Sequence, residues 1–109
     1  MTNIVKIINI NLETTGQIIR ETREKKGMLL RELAAELKMD SAILSKIERG
    51  ERRLTKDLIL KIAQILELNE RELMLSWLSD KIVYEISDEE FGLDALKLAE
   101  KKVKYSTKK

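Results

Sequence analysis

The stretch that decides the fold is MDSAILSKIERG, residues 39–50. Leu44 and Ile47, with Ile43 beside them, fall at helical spacing and form an apolar stripe. Asp40 is a strong N-cap for a helix beginning at Ser41, and Gly50 suits the left-handed residue that ends one. The outer positions are short or polar: Ser41, Ala42, Ser45, Lys46 and Arg49. A helix that faces only water ordinarily carries long charged side chains there. Side chains this short leave room for something bulky to approach the backbone.

The apolar periodicity continues on both sides. Leu30, Leu33, Ala34 and Leu37 follow i, i+3, i+4, i+7 spacing, which predicts a helix over about 30–38. Only Met39 and Asp40 separate it from the helix over 41–49, and two short helices joined by so tight a turn make a helix-turn-helix. Thr14 or Thr15 can cap a first helix running to about Lys26, with Gly27 as its stop. Downstream, ERRLT (51–55) is a polar loop whose Thr55 caps a fourth helix over about 56–67. Asn69 caps a fifth over about 70–86, and Ser87 with Glu90 makes a capping-box pattern that predicts a sixth over about 88–104. The opening MTNIVKIININL (1–12) suits a short strand or an arm capping another element.

Composition agrees with an all-α chain. The 109 residues are enough for one small domain with an appendage. With 43% hydrophobic and 37% charged residues, no Pro and 4 Gly, the chain is foldable and rich in helix formers. Zero Cys removes disulfides and thiolate metal sites and fits a reducing compartment, so a cytoplasmic location is expected. Zero His removes the commonest general base and metal ligand. No Gly-rich phosphate loop is present, so no enzymatic activity, metal or cofactor is expected. No apolar run reaches membrane-spanning length and the start lacks the basic region of a signal peptide, so no membrane partner is expected.

The net charge is only +2, and the basic character is local. Between Arg20 and Lys56 there are 11 Lys/Arg against 7 Asp/Glu, and between Ser45 and Lys56 there are 5 against 2. The lysines from Lys97 to Lys109 read as a solvated face and tail.

In order and spacing these pieces resemble the lambda-repressor/Cro-like (XRE-type) helix-turn-helix family of DNA-binding proteins, over about residues 16–75. IRETREKKGM (19–28) resembles the family's first helix and its stop, RELAAEL (31–37) its second, and MDSAILSKIERG its recognition helix. LILKIAQILELNEREL (58–73) resembles the fourth helix and the start of the fifth. The resemblance implies a five-helix domain, placed here at 14–78, and leaves 1–13 as an N-terminal arm and 79–109 as a helical extension. It implies that helix 41–49 enters the major groove of double-stranded DNA, which is about 12 Å wide. Ser41, Ala42, Ser45 and Lys46 then occupy base-facing positions, and Arg49, Arg52, Arg53 and Lys56 contact phosphates. It also implies an ion pair between Arg23 and Glu48 that orients the recognition helix.

Three departures stand out. Leu29-Leu30 replaces the family's usual Ser/Thr-Gln at the second helix's start, so that cap and the usual Gln contact are missing. Lys38 replaces a usual Gly, and Leu54 a usual Pro.

The fifth and sixth helices carry more apolar residues than one buried stripe needs. Either they pack on each other or the surplus forms a two-fold interface. A homodimer is expected, with Leu75, Trp77, Leu78, Ile82, Phe91 and Leu96 as its contacts, because one module gives a short DNA contact and two can read both halves of a palindrome. The function expected is thus a sequence-specific transcriptional regulator, a repressor or activator. The alternative is an antitoxin-type module that sequesters a toxin or other protein partner and represses its own gene.

Overall fold

The computed structural model describes residues 13–107, and the reading of 1–12 as an arm or strand lies outside them. Among the described residues there are six helices and no strand, an all-α fold: α1 (Thr15–Lys25), α2 (Leu30–Glu36), α3 (Ser41–Glu48), α4 (Lys56–Leu66), α5 (Glu70–Ile86) and α6 (Gly92–Thr107).

Polar side chains start most of these helices. Thr14 Oγ1 accepts from the Gln17 amide at 3.2 Å while Gln17 Oε1 accepts from the Thr14 amide at 3.0 Å, a reciprocal capping box for α1. Asp40 accepts from the Ala42 amide at 2.7 Å, Thr55 from Leu58 at 3.2 Å and Asn69 from Glu72 at 2.9 Å. At α2 the hydrocarbon side chain of Leu29 can accept nothing, and only half a box remains, with Glu32 accepting from the Leu29 amide at 2.7 Å.

The helix ends share one device. After α1, α2, α3 and α4 the chain turns through a residue with positive φ, and two backbone amides fold back onto the last turn. Gly27 and Gly50 supply that conformation at no steric cost after α1 and α3. Lys38 (φ 56°) and Glu67 (φ 57°) adopt it with a side chain. The turn at Lys38 also ends α2 at Glu36, two residues short of the reach that apolar spacing predicts.

The described residues fall into two compact units, the first ending at Trp77 and the second starting at Leu78, within α5. In the first unit α3 packs against α1 and α2, and α4 against α1. Ile19, Leu33, Leu44, Ile59, Ile62 and Leu66 are almost wholly buried in its core, which Leu73 of α5 joins. Each such side chain contributes about 1.5–3 kcal/mol on burial. Gly16 lets the first turn of α1 press on the end of α3, because a Cβ there would run into the backbone carbonyls of Ile47 and Glu48. Thr15 and Ser76 share a hydrogen bond between hydroxyls at 2.7 Å, which joins α1 to α5. Trp77 packs against the core and donates its indole N–H to the Leu54 carbonyl at 3.0 Å.

In the second unit the start of α6 differs from the capping-box expectation at Ser87 and Glu90. The Ser87 amide still donates to the Val83 carbonyl at 2.9 Å, and residues 87–91 form a turn instead of a helix. The helix begins at Gly92, whose bare Cα lies against the Ile86 carbonyl where a side chain would not fit. Most of the unit's large apolar side chains remain exposed, among them Ile82, Phe91 and Leu93.

Candidate nucleic-acid interface

The recognition helix is built from its buried side outward. Leu44 and Ile47 are buried, and Glu48 beside them is 5% exposed, a carboxylate that needs a partner. Arg23 of α1 supplies it, donating from Nε to Glu48 Oε2 at 2.8 Å and from Nη2 to Oε1 at 3.0 Å. Its Nη1 donates to the Met28 carbonyl at 2.8 Å, so all three guanidinium nitrogens are engaged. The Glu48 hydrogen bonds hold Arg23 in its charged form more firmly than usual, against the opposing effect of burial. Two parallel bonds between planar groups fix orientation as well as distance. With Gly16 pressed on the same end, α3 has little freedom to rotate or slide.

The opposite face of α3 is lean. Ala42 and Lys46 are exposed, and Ser41 and Ser45 are partly so. At helical spacing Ala42, Ser45, Lys46 and Arg49 follow one stripe (i, i+3, i+4, i+7) opposite Leu44 and Ile47. Three of the four positions expected to face bases lie on this stripe; Ser41, the first residue of α3, stands just before it, and Arg49 is added at its end.

Arg52, Arg53 and Lys56 are exposed in the loop after α3 and the first turn of α4. Thr55 takes the Leu58 amide there, and Asp57 places a carboxylate in the same turn, which opposes an anion at this helix end. The loop cations therefore carry the positive potential of this edge more than the helix terminus does. Arg49 is arranged otherwise. It donates from Nε and Nη2 to the two Glu51 carboxylate oxygens at 2.9 and 3.2 Å, and from Nη1 to Ser45 Oγ at 2.6 Å. The Arg49 hydrogen bonds lower the Glu51 pKa below its ordinary value, and Glu51 in turn raises that of Arg49.

Gly16 and Glu51 were not singled out in the sequence. A glycine in the first turn of a helix, where it weakens helix formation, is the signal for the first. For the second it is the Gly50 turn, which folds the following residue back over the helix end. Of the Leu29-Leu30 pair that replaces the family's usual Ser/Thr-Gln, Leu30 packs against the core and Leu29 is exposed. Of the six apolar residues expected at a dimer contact, Trp77 is engaged in the first unit's own core, and Leu75, Leu78, Ile82, Phe91 and Leu96 are exposed.

Two short helices at a tight turn, the second anchored on one side and bare on the other beside a basic loop, define the class of helix-turn-helix DNA-binding proteins. Residues 19–73, half of the chain, match the family model described as helix-turn-helix. The chain belongs to the XRE/lambda-repressor-like branch of that family, a family of DNA-binding transcription regulators. No curated protein and no solved structure matches it. Among the described residues no helix is long and apolar enough to cross a membrane.

Proposed function

We propose that the protein is a sequence-specific transcriptional regulator that binds a palindromic operator as a homodimer, with α3 in the major groove. The observation that carries this reading is the contrast between the two sides of α3. Leu44, Ile47 and the Arg23–Glu48 pair lock its inner side, while Ala42, Ser45 and Lys46 leave its outer side low enough for a duplex to approach. Ser41, Ala42, Ser45 and Lys46 face base edges, and Arg52, Arg53 and Lys56 take backbone phosphates. The test is to select bound fragments from random duplex DNA with the full chain, at low and at physiological salt. A recurring inverted repeat with half-sites about one helical turn apart supports the reading. Binding that ignores sequence at every salt concentration contradicts it.

The exposed apolar residues of the second unit, among them Ile82, Val83, Phe91, Leu93 and Leu98, favour self-association, which would take them out of water. Residues 79–109 are thus read as a dimerisation extension. The same surface suits an antitoxin-type role, in which another protein covers it. Light scattering of the purified chain separates the two, because a dimer mass without added partner supports self-association and a monomer mass favours a foreign one.

A further inference from the structure

Arg49 is the last residue of the outward stripe of α3, and its guanidinium is turned back along the helix. The cause is local. The positive φ of Gly50 (79°) reverses the chain, and the Glu51 amide then donates to the Lys46 carbonyl at 2.8 Å. This places the Glu51 carboxylate beside the last turn, where it takes the Nε and Nη2 donors of Arg49 at 2.9 and 3.2 Å. The remaining nitrogen, Nη1, lies 2.6 Å from Ser45 Oγ, one turn back on the face proposed to meet DNA. Donors remain free on both Nη atoms. Ser45, having accepted from Arg49, keeps its own hydroxyl proton to donate.

We infer that Arg49 reads a base instead of anchoring a phosphate, that Glu51 is its positioning residue, and that the base is guanine. The inference rests on the major-groove reading of α3. Arg49 Nη1 and Nη2 and the Lys46 ammonium on the same stripe offer donors alone, and the Ser45 hydroxyl adds a further donor. In the major groove guanine presents two acceptors, N7 and O6, whereas adenine presents an acceptor beside an amino donor. A donor-rich cluster satisfies both acceptors of guanine, whereas on adenine it finds one acceptor and sets a donor against the amino group. Glu51 shapes the outcome in two ways. It holds the guanidinium on the helix, which lowers the cost of ordering a long side chain at binding. It also sets a negative charge beside the phosphates, which weakens contact with duplexes whose bases do not engage Arg49.

The test is selection from a random duplex library by the full chain and by Arg49→Ala, Arg49→Lys, Glu51→Gln and, as a phosphate control, Arg52→Ala. For Arg49→Ala, loss of a guanine preference of about five- to a hundredfold at one position per half-site is expected, with the other positions kept. Arg49→Lys retains part of that preference. Glu51→Gln binds all duplexes more tightly and discriminates less at that position. Arg52→Ala keeps the preference and loses affinity uniformly. If the wild-type chain enriches a motif and Arg49→Ala enriches the same one, the assignment of Arg49 is overturned while the reading of α3 stands. If Glu51→Gln discriminates as the wild type does, Glu51 does not position Arg49. If the wild-type chain enriches no motif, the reading of α3 falls and the base contact with it.

Discussion

The carboxylate of Glu48, near the end of α3, lies in the core-facing layer and is held by the Nε and Nη2 of Arg23 at 2.8 and 3.0 Å. A charge pair this dry contributes little net stability compared with a well-packed apolar pair, but removing one partner strands the other. Arg23→Ala or Glu48→Ala is therefore expected to cost about 3–5 kcal/mol. Arg23→Met with Glu48→Leu is expected to cost much less than the sum of the single changes. Urea unfolding of the four proteins checks this, and additive losses would mean that the pair does not act as a unit.

Gly16 touches the other side of the same junction. Adding a Cβ there meets backbone, which cannot rotate away as a side chain can. Gly16→Ala is expected to lower stability by about 1–3 kcal/mol, the range for overpacking, despite the better helix propensity of Ala. A thermal melt at or above that of the wild type would contradict the close approach.

The conformation of Lys38 predicts a change of opposite sign. Its φ of 56° is in the left-handed region, where a Cβ crowds the following carbonyl. Lys38→Gly is expected to stabilise the chain by about 1 kcal/mol, after allowing for the added freedom of the unfolded state. Lys38→Ala keeps the strain and is expected to be close to neutral. Their difference in melting temperature is the measurement.

Glu67 brings in pH. Its pKa is lowered by the Lys26 ammonium, which bonds it at 2.7 Å and ties the end of α1 to that of α4. A carboxylate with a lowered folded pKa contributes stability that is complete above its unfolded pKa, about 4.3, and is lost as pH falls through the folded value. Both groups are at the surface, so the effect is small and salt-sensitive. Melts across that acidic range should fall less steeply for Glu67→Gln than for the wild type, and equal slopes would contradict the pairing.

Much of this was legible in the sequence, for identifiable reasons. The limits of α3 follow from Asp40 and Gly50, whose cap and left-handed turn are local chemistry. The apolar spacing of α2 and α4 places their buried faces because those helices meet one core from one side. The start of α6 was misplaced because Ser87 and Glu90 carry a capping pattern, yet the Ser87 amide extends the hydrogen bonding of α5. Gly92, which fits against Ile86, sets the start of the helix through a contact that no local pattern reveals. Trp77 had the apolar character of an interface residue, and only the position of the Leu54 carbonyl shows that its indole is engaged within the first unit. The setting of Arg49 was hidden for a similar reason. A basic loop reads as phosphate-binding until the turn at Gly50 is seen to bring Glu51 against it.

The most direct test of the account is an amide NMR titration of the full chain with a duplex at low salt. The outer face of α3 and the loop that follows are predicted to meet the DNA. Shifts should therefore concentrate at residues 41–56, with the largest at Ala42, Ser45, Lys46 and Arg49, and should be absent from α6. Shifts that cluster in α5 or α6 and leave residues 41–49 unmoved would contradict it.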